Sequence, residues 1–317
     1  MARIWKTLMN GVLTMGVLSL AVAVDRAWAQ EEAPRAWQKL YTGADVKGEA
    51  VLGLWQFPSG NEAKDASGRG HDLKLRGDSR FSKDGRFGGG CLESFGPGGK
   101  DRGNGALVTG SEGMTPAGAF TLEMWIKPKP EFEDPALKVA WLVDKMYINY
   151  RHARAGVECM RDYALSLNPA AGGKSTLIAY LGFGKDVQQY VSGPVRFEPG
   201  VWHHIAFAYD GAGAGWFTCD GETIGGGSHP GRQSVAPGGY PLVIGDRVNS
   251  SYSGFPGFIS QVRLSSRAIR FYDKAVAVSA SGRSAFARME KGGQVEWTLT
   301  CCQEKLLRDV VLVVNGE

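Results

Sequence analysis

The sequence is poor in the features that mark most catalytic or membrane-bound chains. After Val24 it holds no long apolar run, which excludes a membrane-spanning helix from the rest of the chain. Histidine is scarce, at five residues: His71, His152, His203, His204 and His229. The adjacent pair His203 and His204 lies in a strand-like run where neighbours diverge, so the two cannot chelate one metal together. Cysteine is equally scarce, and Cys91, Cys159, Cys219, Cys301 and Cys302 form no C-x-x-C pair that would suggest structural zinc. Their odd number and irregular spacing give no disulfide framework, and they read mostly as small buried apolar residues. Cys301 and Cys302 point to opposite faces of a strand and are poor partners for each other.

Other absences narrow the function. The formal charge is only +4, and no block of Lys or Arg stands out, so nucleic acid is not the expected partner. No G-x-S-x-G elbow is present. Glycine-rich stretches such as Gly96-Pro97-Gly98-Gly99-Lys100 do not lead from a strand into a helix, so a phosphate cradle is not supported. No long helical periodicity appears.

What the chain does have is turns and alternation. It carries 45 Gly and 14 Pro, with short apolar runs between them, a pattern that implies an all-β fold. Residues 1–29 read as a secretory signal peptide. Arg3 and Lys6 form a basic start, residues 8–24 an apolar core, and Ala27-Trp28-Ala29 a small-x-small cleavage pattern. The protein is then exported, to the periplasm, the cell surface or the medium, with no membrane span left after cleavage. The leader carries Arg3, Lys6, Arg26 and Asp25, so the remainder has a formal charge of +2. Residues 30–50 are polar and unpatterned, a linker.

Strand-like runs follow at 51–57, 73–75, 91–95, 105–108, 139–145, 162–168, 175–183 and 201–210. A hairpin around Asp220-Gly221 and a glycine-rich loop at 225–239 come next, and runs at 241–245 and 257–264 close the series. The clearest run is AFTLEMWIKP at 119–128. Phe120, Leu122, Met124 and Ile126 share one face, and Thr121, Glu123, Trp125 and Lys127 the other, the period of a half-buried strand. After Phe271 the pattern changes: 274–279, 295–300 and 309–314 are strand-like. Three strands make a marginal fold alone. Residues 272–317 are therefore either an accessory hairpin or the start of a second β-sandwich in a larger exported protein.

Several of these residues carry a family resemblance. Leu54-Trp55-Gln56-Phe57, DASGRGHDLKLRG from Asp65 and GRFGGGCL from Gly85 open the series. FTLEMWIKP from Phe120, VWHHIAFAYDG from Val201 and residues 241–269 follow in order. Together they resemble a laminin-G-like jelly roll of the concanavalin A-like lectin/glucanase superfamily, over residues 51–271. The resemblance implies two antiparallel sheets packed face to face, one of them offering a concave surface.

It also frames the candidate sites. Glucanases of this superfamily carry Glu-x-Asp-x-x-Glu on one strand, but here Trp125 stands in the place of the second acid and Lys127 follows. Glycoside hydrolysis needs two carboxylates, and Glu131, Glu133 and Asp134 fall beyond two prolines, in a loop. The sequence therefore predicts a non-catalytic module that recognises carbohydrate or an extracellular protein surface. A glycan-active hydrolase or lyase with an unrecognised site is the alternative. Glu123 with Trp125, on the concave sheet, offer an aromatic platform and a polar group for a sugar. A second candidate is the 245–257 loop, through Arg247, Asn249, Tyr252 and Phe255. Laminin-G-like domains often bind calcium, and the early Asp-x-Ser-Gly pattern makes Asp65 the candidate ligand. Asp65 can equally cap its own turn, and Ser260 and Gln261 stand where the family commonly has acidic residues. His204, sharing a face with Trp202, Ala206 and Ala208, reads as an imidazole hydrogen-bonded within the sheet.

Overall fold

The computed structural model describes residues 36–97, 103–146, 156, 158–249, 253–271, 275–280 and 283–288. The chain divides into two compact units, residues 1–39 and 40–317. In the first, the described residues comprise the short 3-10 turn Ala36–Gln38 and Lys39. The signal peptide expected at 1–29 lies outside the described residues. Among the described residues, no helix is long and apolar enough to cross a membrane.

The second unit is a two-sheet antiparallel jelly-roll sandwich, as the alternation requires. One sheet, here sheet A, gathers strands distant in sequence: β1 (Val51–Trp55), β3 (Arg80–Ser82), β4 (Cys91–Ser94), β6 (Phe120–Pro128), β11 (His203–Tyr209), β12 (Ala214–Cys219), β13 (Glu222–Ser228) and β15 (Gly257–Ser265). Its order is β13-β12-β11-β6-β15-β4-β3, with β1 also paired to β15. Sheet B runs β10-β9-β8-β7-β14-β5-β2. Those strands are β2 (Leu73–Leu75), β5 (Ala106–Val108), β7 (Ala140–Asp144), β8 (Tyr163–Ala170), β9 (Lys174–Gly182), β10 (Val187–Val191) and β14 (Val243–Ile244).

The core lies between the sheets. Phe120, Leu122, Met124 and Ile126 of β6 enter it, as their spacing predicts, and meet Leu142, Tyr163, Leu165 and Leu181 of sheet B. Each such side chain contributes roughly 1.5–3 kcal/mol on burial. The Asp220-Gly221 turn is read correctly from sequence: φ is 50° at Asp220 and 85° at Gly221, the paired positive angles of a tight hairpin. β10 is an additional strand, and β13 extends through Gly225 to Ser228, a stretch expected to be loop.

β15 holds the least legible feature. Ser260 pairs with Trp125 and Arg263 with Glu123, so three steps on β15 oppose two on β6. This is a β-bulge, with Gln261 at φ 46°. The extra residue reverses the alternation. Ile259, Val262 and Leu264 all reach the core, while Arg263 is turned to the outer face beside Glu123.

Residues 40–50, expected to be linker, fold back on that outer face through Tyr41 and the helical turn Ala44–Lys47. After residue 271, β16 (Ala275–Ala280) pairs with β17 (Arg283–Arg288) as a hairpin. The runs expected at 295–300 and 309–314 lie outside the described residues.

Candidate functional site

The outer face of sheet A carries the polar side of β6, and it divides into a closed end and a less covered end. At the closed end, Glu123 is buried and fully engaged. The Tyr41 hydroxyl donates to its Oε2 at 2.6 Å, and His204 Nε2 lies 3.1 Å from the same oxygen. Arg263 Nε donates to Oε1 at 2.5 Å, with the Arg263 guanidinium 3.7 Å over the Tyr41 ring. Arg263 also reaches Asp45 Oδ1 at 3.1 Å. Burial alone would raise the Glu123 pKa, but the hydrogen bond to His204 and the Arg263 charge outweigh it. The carboxyl is held below the usual range.

Trp125 comes next along the strand and is 4% exposed. Its ring is closed in by Phe87 at 5.7 Å, His204 at 5.4 Å and the Arg86 guanidinium at 4.6 Å. Glu123 and Trp125 therefore do not form the open wall that the sequence predicts. The reason is local: residues 40–50 and the Arg86-Phe87 turn cover them. His204 is hydrogen-bonded within the sheet, as expected.

The second end begins one step further, at Lys127, itself only 9% exposed. Strand register places Phe258 of β15 opposite both Lys127 and Glu93, and Glu93 opposite Arg80 of β3. Lys127 Nζ lies 4.6 Å from the Phe258 ring centre and 5.1 Å from that of Trp202, with Asp84 at 2.5 Å. Lys129 stands 3.8 Å over Phe95 and 2.5 Å from Glu93, which Arg80 also pairs at 2.6 Å. Trp202, Phe258, Phe95 and Phe87 are all half-buried. Burial would raise the Glu93 pKa, but the bonds from Lys129 and Arg80 bring it below the usual range.

The sequence places Lys127 on a face with Trp125 and Trp202 on a face with His204, but does not join them. The remaining members come from other strands, and only register brings them together.

The 245–257 loop is also different from expectation. Phe255 is 0% exposed and packs on Phe132 at 5.8 Å. The glycines around it set the backbone but do not expose its ring. Arg247 is tied to Asp144 at 3.3 Å and lies 4.5 Å over Trp141. Asn249 is half-buried, and Tyr252 lies outside the described residues.

Asp65 serves its own loop. Its Oδ1 accepts the amides of Leu54 and Ser67 at 3.1 and 2.9 Å. Its Oδ2 accepts the Ser67 hydroxyl and the His71 amide at 2.7 and 3.2 Å. Calcium requires six to eight oxygen ligands, whereas hydrogen-bond donors already converge on this carboxylate. Gln261, where an acidic partner would stand, accepts from the Tyr41 amide at 3.2 Å and from Gln56. The donor set does not fit a calcium site.

Comparison with known proteins now has a geometry to meet. A laminin-G family model, described as the concanavalin A-like lectin/glucanases superfamily, matches residues 101–270. No curated protein matches the chain. Among solved structures, the binding domain of Paraclostridial Mosquitocidal Protein 1 has a TM-score of 0.50 at 16% identity, covering 70% of this chain and 50% of that one. A botulinum neurotoxin type C structure, described by its interaction with two gangliosides, has a TM-score of 0.49 at 11% identity, covering 72% and 50%. Domain 4 of an extracellular arabinanase from Geobacillus stearothermophilus, solved with arabinotriose, has 0.47 at 17%, covering 70% and 94%. At these identities the likeness is one of fold. The match spans about half the length of the toxin chains.

Proposed function

The chain belongs to a laminin-G family of the concanavalin A-like lectin/glucanases superfamily, and from that premise we propose that it is an exported, non-catalytic module that binds carbohydrate. The observation that carries this reading is the row Arg80–Glu93–Phe258–Lys127–Trp202 across four neighbouring strands and the entry to β11. Half-buried aromatic rings give a sugar an apolar surface to lie on, with the exposed heads of Arg80 and Asp84 beside them as donor and acceptor for its hydroxyls. The row stands on sheet rather than loop, and the Lys127 and Lys129 contacts hold its rings and heads in place. Its binding geometry is therefore formed in advance.

Catalysis does not suit the same face. Glycoside hydrolysis needs one carboxyl kept protonated as general acid. Glu123 and Glu93 are instead both held as carboxylates by cationic partners. Export rests on the leader read from residues 1–29.

The test is a glycan array followed by titration calorimetry on the best ligand, with Trp202→Ala and Phe258→Ala. Each variant is expected to weaken binding about tenfold, or roughly 1.4 kcal/mol, with unchanged thermal unfolding. An array on which nothing is retained, or variants that bind like the parent, would overturn the reading. Retention of a protein ligand in place of any glycan would move the module to protein recognition.

A further inference from the structure

At the opposite end of β11 from Tyr209, on the core side of sheet A, three donor atoms of three different chemistries converge. His203 opens β11 with its ring edge-on to Phe197, at 5.4 Å and 88°. Cys219 ends β12, and Asp220 begins the tight turn into β13. One backbone bond and one side-chain bond hold that turn against β11. The Asp220 amide donates to the His204 carbonyl at 2.8 Å, and Asp220 Oδ1 accepts the His204 amide at 2.8 Å. The other oxygen, Oδ2, meets His203 Nδ1 at 2.7 Å and Cys219 Sγ at 3.7 Å. The ligand atoms of the three residues all lie within 4.8 Å of one another.

We propose that His203, Cys219 and Asp220 form a binding site for a borderline divalent transition-metal ion of the zinc type. Metal–ligand bonds of ~2.0–2.3 Å in a tetrahedral site put neighbouring donors about 3–4 Å apart; here Asp220 Oδ2 stands 3.7 Å from Sγ and 2.7 Å from Nδ1, the shorter contact being a hydrogen bond that the ion would replace. One imidazole nitrogen, one sulfur and one carboxylate oxygen make a donor set for zinc or cobalt rather than for calcium or magnesium. Three protein ligands leave a fourth position for water. Exposure agrees with that: His203 and Asp220 side chains are 14% and 45% exposed, so the site has buried walls and one open side.

Binding is balanced without any redox partner. The imidazole gives the Nδ1 lone pair and carries its remaining proton on Nε2. Cys219 gives up its thiol proton to solvent, and Asp220 supplies an existing negative charge. The proposal is independent of the carbohydrate reading. These groups lie on the core side of sheet A, and the aromatic row lies on its outer side.

The test uses Co(II) alone as probe, titrated into the full chain under reducing conditions. The expected result is one equivalent bound, with a thiolate-to-cobalt charge-transfer band, and displacement by Zn(II). Cys219→Ser should abolish the band. Asp220→Asn, which keeps an oxygen for the His204 amide, should weaken binding at least tenfold. Metal-free circular dichroism melts establish that both variants fold; if Cys219→Ser does not, Asp220→Asn and His203→Gln decide. A parent protein with no charge-transfer band, a band retained in Cys219→Ser, or parent-like affinity in the folded Asp220→Asn variant would each overturn the site.

Discussion

Glu123 shows how much one buried residue can organise. Its two oxygens receive Tyr41, His204 and Arg263, and through Arg263 they fix Asp45 and the segment that covers the sheet. Breaking such a pair from one side leaves the partner charge buried and uncompensated, at a cost of about 3–5 kcal/mol. Glu123→Gln should therefore lower stability by roughly 3 kcal/mol, read as a shift in the urea midpoint. It should leave glycan affinity unchanged, since the aromatic row begins at Lys127. A catalytic or ligand-binding role for Glu123 predicts the reverse: normal stability with lost turnover or affinity. In the sequence, the alternation of β6 correctly assigns Glu123 to the outer face. It cannot assign the covering residues, because Tyr41 and Arg263 lie 82 and 140 positions away.

Strands and turns were legible where pattern is local, and were not where one backbone meets another. Residues 120–127 and the Asp220-Gly221 hairpin follow from alternation and turn chemistry alone. The β15 bulge does not, because nothing in GFISQVRLS announces that Gln261 takes φ 46° and turns Arg263 outward. Glycine at 225–227 misleads for a related reason, since it resembles loop composition. Gly226 pairs with Trp216, and a Cβ there would stand 2.2 Å from the Gly215 carbonyl oxygen and 2.8 Å from Trp216 Cα. The glycine permits close backbone approach within a strand. Gly226→Val should cost about 1–3 kcal/mol through overpacking. Hydrogen exchange should rise in β12 and β13 first, with β7 and β8 unaffected. Uniform loss of protection across both sheets would show that the hairpin is not a separable unit.

At the scale of the whole molecule, two groups of buried carboxylates are held in opposite ways. On sheet A, Glu123 and Glu93 are surrounded by cations and kept ionised. At the end of sheet B, Asp144 accepts the amides of Met146 and Val248 and the Arg247 guanidinium, yet burial dominates and its pKa is raised to about 6. Asp246, which precedes Arg247 in sequence, is raised too, again by burial. The signs of their pH effects differ. A carboxyl raised in the folded state holds a proton that the unfolded chain, with an ordinary value of ~3.9, has lost. Asp144 thus adds stability as pH falls from about 6 towards 4, and Asp246 acts in the same direction. The carboxyls held low act in the other direction: their contribution is complete above ~4.3 and is lost as pH falls through their folded values. Stability should peak in the mildly acidic range, about 4.5–6, instead of at neutrality. Asp144→Asn carries no titratable group and should flatten the neutral side of that profile, measured by urea midpoints between pH 4.5 and 7. The acid side should fall as in the parent, because Glu123 and Glu93 are untouched. A variant that keeps the full slope on the neutral side would assign the effect to Asp246 and remove Asp144 from it.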